Sequence, residues 1–309
     1  MRELLLFIIY LAIFMAGMAI LRIGLFNISG DKLKRVLKRV THTPVRGFFV
    51  GIFITGILQS SSAVMVMTIG LVSTGSLNFT QTIGIILGTN IGSTFTTEFM
   101  TIPLEKWTVH GALLGALLWL IPHILAKSFG TTLIGLSCVI AAINGFKTLA
   151  VPVSSFDSVQ QLLLSMENNL FIALCTGMVV TAIIHSSSAM TGIAMGFLAA
   201  GEMSVPAGIA IMLGSNIGTC ITAYMASLGA GKEARFTSYA HIWLNLIGVA
   251  IFFPFISPLE RLAALFTEQK DIQLAHASVI FNILSSLLAL PFTEKFTKFI
   301  MLVHNRESK

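Results

Sequence analysis

Four short polar motifs interrupt otherwise apolar sequence. Gln59-Ser60-Ser61-Ser62 and His185-Ser186-Ser187-Ser188 each set three hydroxyls beside an amide or an imidazole. Each run is answered 29 residues later, by Gly88-Thr89-Asn90-Ile91-Gly92-Ser93-Thr94 and by Gly214-Ser215-Asn216-Ile217-Gly218-Thr219-Cys220. Serines that cap an opened helix leave backbone N–H groups free at its N-terminus. That end carries roughly half a positive charge and binds anions. Asparagine carbonyls beside glycine-opened backbone suit a hard cation such as Na+. No lysine or arginine lies within the four motifs. An anion held there must be met by dipoles, hydroxyls, amides and co-bound cations, so cation coupling is the physical expectation.

Other chemistries fit less well. Ser186 adjoins His185, but neighbours in a helical sequence do not face each other. No G-x-S-x-G, H-E-x-x-H or His/Cys cluster occurs, so neither a serine hydrolase nor a metalloenzyme is indicated, and no resident cofactor is expected. Serine and glycine can also serve only to pack membrane helices together. Their duplication argues for more. Gly51–Thr97 aligns without gaps on Gly177–Ala223 at an offset of 126, with 17 of 47 positions identical. The identities include the serines, the motif asparagines and several glycines, beyond what apolar low complexity supplies.

The elements that carry these motifs lie in a membrane. Only 10% of the 309 residues are charged, 55% are apolar, and mean hydropathy is +0.89. A soluble domain carries about 25% charge. Gly47–Thr97 contains no charged residue over 51 positions. With about 20 apolar residues per span, the chain has room for about eight membrane elements. About 12 apolar residues precede the first serine run and about 13 follow it, roughly half a bilayer each. Polar backbone facing lipid is costly, so two half-helices or a re-entrant hairpin, buried in protein, are predicted at each run. Matching interruptions in two halves point to a secondary-transporter architecture.

Leu4–Leu21 reads as a first span, longer than the apolar core of an ordinary signal peptide. Residues 31–46 carry Asp31, Lys32, Lys34, Arg35, Lys38, Arg39 and Arg46, and Leu33, Val36, Leu37 and Val40 recur at helical spacing. This segment is predicted to be a short amphipathic helix on the cytoplasmic membrane surface. Residues 294–309 are predicted to form a cytoplasmic tail. The net charge of +6 is a topology signal rather than a nucleic-acid signal. Cys138, Cys175 and Cys220 read as small apolar packers. Glu98 is a candidate functional carboxylate, with Glu105 and Lys106 suggesting that the chain surfaces nearby. His241 and Asn245 share a helix face, whereas His276 and Asn282, six apart, do not stack; all four read as packing or interhelical hydrogen-bonding groups rather than ligands.

The four motifs, in this order and spacing, resemble the type II sodium–phosphate cotransporters and their bacterial relatives. The likeness covers about residues 45–230, and Ala240-His241 and Ala275-His276…Phe281-Asn282 look like later helices of that family. It implies an all-α polytopic membrane protein of the cell membrane, not an enzyme. Two inverted repeats, about 45–126 and 169–258 within a single transmembrane domain 1–309, would meet at a central site. Gln59, Ser60, Ser61, Ser62, His185, Ser186, Ser187 and Ser188 would contact phosphate. Gln59, Ser62, Thr89, Asn90, Ser93, Ser188, Ser215, Asn216 and Thr219 would hold Na+. The implied function is Na+-coupled phosphate transport by alternating access; a related anion, or export, is the alternative, and self-association is allowed. Two departures stand out. His185 replaces the usual Gln, and a PhoU-like domain found after the membrane part of many bacterial members is expected to be lacking.

Overall fold

The computed structural model describes residues 1–40 and 43–304. It consists of helices and their connections, with no strand among the described residues. In chain order the α-helices are α1 (Arg2–Val40), α2 (Pro44–Leu58), α3 (Ser61–Ser73), α4 (Phe79–Phe99), α5 (Thr108–Leu120), α6 (Ile124–Ser154), α7 (Asp157–Asn168), α8 (Leu170–Ile184), α9 (Ser187–Ala199), α10 (Val205–Gly218), α11 (Cys220–Ser227), α12 (Lys232–Phe252), α13 (Ile256–Ala264), α14 (Lys270–Ala289) and α15 (Thr293–His304). Among the described residues, five helical stretches are long and apolar enough to cross a membrane: Arg2–Ser29, Ile124–Ser154, Val205–Ser227, Lys232–Ala264 and Lys270–His304. The four helices α2, α3, α8 and α9 have only 13 to 15 residues each. At 1.5 Å per residue these reach about 20 Å, short of a 30 Å core.

The sequence repeat is a structural repeat, helix end for helix end. Shifting α2 and α3 by 126 gives the bounds of α8 and α9, and the start of α4 becomes the start of α10. The caps shift too. Thr43, Ser60 and Asn78 cap α2, α3 and α4, while Asn169, Ser186 and Ser204 cap α8, α9 and α10. Gly75 and Gly201 both turn through positive φ after the second half-helix. Equivalent capping chemistry at identical spacing is what makes the two halves fold alike.

In each repeat the half-helices pack against the helix that follows the pair. α2 lies along α4 and α8 along α10, while α1 and α5 flank α6. The close approach is made by glycine. A Cβ at Gly88 would overlap the Phe48 carbonyl oxygen, and one at Gly214 the Leu174 carbonyl oxygen. Gly92 and Gly218 likewise sit against Thr55 and Thr181. The motif glycines therefore bring helices together. They do not open the backbone in the first repeat, where α4 runs unbroken through Gly88–Thr94. In the second repeat the helix is interrupted only at Thr219, between α10 and α11.

Two peripheral expectations change. Residues 31–40 do not form a separate surface helix, because α1 continues through them to Val40, and Pro44 already begins α2. Thr41 and His42 lie outside the described residues. The apolar stripe is partly used inside the protein: Leu37 is fully buried and Leu33 packs with it beside Val50, Ile54 and Leu58. At the C-terminus, 293–304 is a docked helix rather than a free tail, with Thr297 and Ile300 buried and the Trp243 indole N–H donating to His304 Nε2 at 3.1 Å. Residues 305–309 lie outside the described residues. Cys138, Cys175 and Cys220 are free thiols within the helices.

The glycine contacts make a direct prediction. Gly214→Ala is expected to overpack the α8–α10 contact and destabilise the protein by about 1–3 kcal/mol. Gly70 is exposed in α3, and a Cβ added there would meet no atom within 4 Å. It is the control, since Ala at that position should be neutral or stabilising by about 0.5–1 kcal/mol. Thermal melting of the two purified variants in detergent checks the contrast.

Candidate functional site

The serine runs lie where each half-helix pair breaks. Gln59 ends α2 at φ 52, ψ 34, and His185 ends α8 at φ 53, ψ 29. Among the described residues these are the two non-glycine positions with positive φ. The left-handed conformation costs a side-chain-bearing residue about 1–2 kcal/mol, so both sites hold matched local strain. The next residue is extended and caps the following helix. Ser60 Oγ accepts from the Ala63 N–H at 3.1 Å, and Ser186 Oγ from the Ala189 N–H at 3.2 Å. Ser61–Ser62 and Ser187–Ser188 form the first turns of α3 and α9, whose leading N–H groups have no partner within the helix.

Both breaks line one cavity. Its walls are Arg22, Gln59, Ser60, Ser61, Ser62, Ser93, Thr96, His185, Ser186, Ser187 and Ser188. The cavity is tight, about 10 Å³, at the lower limit for a single water. A tetrahedral oxyanion is larger than the space left between the two breaks. Ser60 and Ser186 are buried, Gln59 is half-buried, and His185 is exposed. The Gln59 side-chain amide donates to the Gly56 carbonyl at 2.6 Å, back along its own helix. A roomier cavity of about 370 Å³, lined by Asn90, Asn245, Phe252 and Phe281 among others, lies elsewhere. It is largely apolar and offers no charge to an anion.

Of the residues singled out from sequence, the structure gathers both serine runs, Gln59, His185 and Ser93 around one space. It does not bring Thr89, Asn90, Ser215, Asn216 or Thr219 to the cavity wall. Asn90 donates from Nδ2 to Asn245 Oδ1 at 3.1 Å, linking α4 to α12. Asn216 donates to the Met212 carbonyl of its own helix. Thr89, Ser215 and Thr219 donate to the carbonyls of Ile86, Ile211 and Ser215. Ser93 itself donates to the Asn90 carbonyl at 2.7 Å.

Two wall residues are not among those singled out from sequence. Thr96 had a signal, because it is one of the identities of the repeat, paired with Thr222. Arg22 corrects an expectation: the motifs themselves hold no cation, but α1 delivers one to them. Its Nε–H donates to the Gln59 carbonyl at 3.1 Å, at the break itself. The available clue was a basic residue inside a helix that stays apolar on both sides, Ile20-Leu21-Arg22-Ile23-Gly24-Leu25. Glu98 also finds a partner no spacing could reveal: its Oε1 lies 2.8 Å from His276 Nδ1 on α14. His241 and Asn245 are buried, and Asn245 donates to the His241 carbonyl at 3.0 Å.

A duplicated, all-helical membrane protein with paired helix breaks around one polar cavity is the class that fold and site define. The sequence profile described as Na+/Pi-cotransporter matches residues 13–148 and 151–284, each match holding one serine run and one asparagine motif, and the chain belongs to that family. It is 41% identical over 293 residues to the uncharacterized protein YqeW of Bacillus subtilis, covering 94% of both chains. It is 25% identical over 289 residues, 93% of its length, to the putative inorganic phosphate export protein YjbB of Salmonella typhimurium, and spans about half (53%) of that relative. A 96-residue stretch, 30% of the chain and 15% of the relative, is 31% identical to the sodium-dependent phosphate transport protein 2A of rabbit, Oryctolagus cuniculus. No solved structure matches.

The backbone at the breaks predicts an unusual tolerance. His185→Gly removes a side chain from a left-handed position and is expected to leave the melting temperature unchanged or higher. His185→Val, β-branched at the same φ, is expected to lower it. Thermal unfolding of the two variants against the parent protein tests this.

Proposed function

We propose that this protein moves inorganic phosphate across the cell membrane by alternating access, with Na+ as the coupling ion. The observation that carries the reading is the convergence of two equivalent serine-capped helix N-termini on one small cavity. Each terminus supplies unpaired N–H groups, hydroxyls and roughly half a positive charge. Two such poles facing one space suit a tetrahedral oxyanion, with Gln59, Ser60–Ser62, His185 and Ser186–Ser188 as its contacts. The family membership and the names of the relatives support phosphate as that oxyanion. The reading treats the repeats as inverted, related by an axis in the membrane plane that passes through the shared cavity. Transport then means that the hairpins separate first toward one face and then toward the other. The basic residues 31–46 and the C-terminal end are placed on the cytoplasmic face, by their lysines and arginines. Phosphate and Na+ are both cargo, and no resident cofactor is needed.

Na+ sites are proposed at Gln59, Ser62, Ser93 and Ser188, which border the cavity, and at Thr89, Asn90, Ser215, Asn216 and Thr219 behind it. The second group donates its hydroxyl or amide hydrogens to helix carbonyls or to Asn245, and the lone pairs of its oxygens remain for a cation. Export is a second reading, favoured by the YjbB relatives, and it uses the same site with the net flux reversed.

Purified protein in liposomes provides the test. An inward Na+ gradient is expected to drive uptake of radioactive phosphate, a K+ gradient to give little, and Ser61→Ala or Ser187→Ala to reduce the Na+-driven rate at least tenfold. Loading phosphate inside and reversing the gradient distinguishes export. Absence of Na+-stimulated flux in either direction, from folded protein inserted in both orientations, would sink the coupling.

A further inference from the structure

Arg22 stands in an unusual electrical position. It belongs to an apolar membrane span, Arg2–Ser29, and reaches the break between α2 and α3. One of its five N–H donors is spent, from Nε, on the Gln59 carbonyl. Among the described residues it has no carboxylate partner. The ion pairs there are Met1–Glu3, Lys147–Glu105, Lys147–Asp271 and His276–Glu98. A cation held away from water without a counter-ion is costly, and in membrane proteins it marks a substrate or ion path. The Gln59 bond uses Nε, and Arg22 itself forms part of the wall of the serine cavity.

We infer that Arg22 is the fixed counter-charge of the phosphate site, binding the anion through its guanidinium fork and doing at rest what a co-bound cation would otherwise have to do. This deepens the phosphate reading and rests on it. The charges balance: a dianion meets one full charge from Arg22 and about half a charge from each of α3 and α9. The fork geometry also matters, since a planar guanidinium takes two oxygens of one phosphate where an ammonium takes them only as a point charge. Phosphate binding therefore does not require Na+. Na+ acts on the movement between the outward- and inward-facing forms, not on neutralising the anion.

Equilibrium binding of radioactive phosphate to the whole purified protein in nanodiscs separates the possibilities. It is measured in Na+ and in N-methylglucamine, for the parent protein, Arg22→Gln, Arg22→Lys and Arg22→Ala. The parent is expected to bind in both salts with affinities within about threefold. Arg22→Gln should lose about 10- to 100-fold in N-methylglucamine, the range for a lost charge-assisted contact, and regain part of that in Na+. Arg22→Lys should lie between the two. Millimolar guanidinium should restore binding to Arg22→Ala, which a purely structural role of Arg22 would not produce. Melting temperatures show which variants fold, and Arg22→Lys carries the comparison if the shorter variants do not. Parent-like affinity in Arg22→Gln, or a parent that binds only with Na+, overturns the inference and leaves phosphate transport standing. A folded parent that binds phosphate in neither salt overturns both.

Discussion

A helix broken inside a membrane must find partners for the backbone groups that the break sets free. Lipid offers none, and each buried N–H or C=O left alone costs free energy comparable to a lost hydrogen bond. The architecture around Gln59–Ser60 and His185–Ser186 follows from that constraint. The serine hydroxyls take one amide each, at Ala63 and Ala189. Arg22 takes the Gln59 carbonyl. Burial of the breaks against α4 and α10 needs backbones that nearly touch, so glycine occupies Gly88, Gly92, Gly214 and Gly218. The amides left at the starts of α3 and α9 point to the cavity's function, because what the protein leaves unsatisfied a ligand can satisfy.

The two repeats share this solution without being copies of one another. Gln59 and His185 adopt nearly the same left-handed backbone, so the turn tolerates either side chain. Their environments differ: Gln59 is half-buried and turned onto its own helix, while His185 is exposed. α4 is continuous where its counterpart divides into α10 and α11. Asn90 reaches across to Asn245, whereas Asn216 stays on its own helix. Arg22 hydrogen-bonds to the first break, through the Gln59 carbonyl. The two halves thus present different side chains and different hydrogen bonds around an equivalent break.

Charge is used sparingly and in pairs. Lys147 on α6 meets Glu105 at 3.8 Å and Asp271 at 3.4 Å, and His276 meets Glu98. These contacts tie α4, α6 and α14 together near the end of α4. Glu98 also shares a groove with Gln59, so this pair sits beside the first break without entering the serine cavity. Arg22 differs in kind, being oriented by a backbone carbonyl rather than a carboxylate.

The membrane class, the duplication at 126 residues and the break at each serine run were legible in the sequence. They depend on composition, on repetition and on local rules of helix capping, all of which act within a few residues. The family likeness was legible for the same reason, since its motifs are short and contiguous. The meeting of the two runs in one cavity, the recruitment of Arg22 and Thr96 to its wall, the Glu98–His276 pair and the diversion of Asn90 to Asn245 were decided by tertiary packing. Each joins residues tens to hundreds of positions apart. No periodicity encodes which face of α1 turns toward α2, and the glycines of the Asn-Ile-Gly motifs have the same sequence signature whether they open a helix or let another approach it. Only the packed structure shows that they do the second.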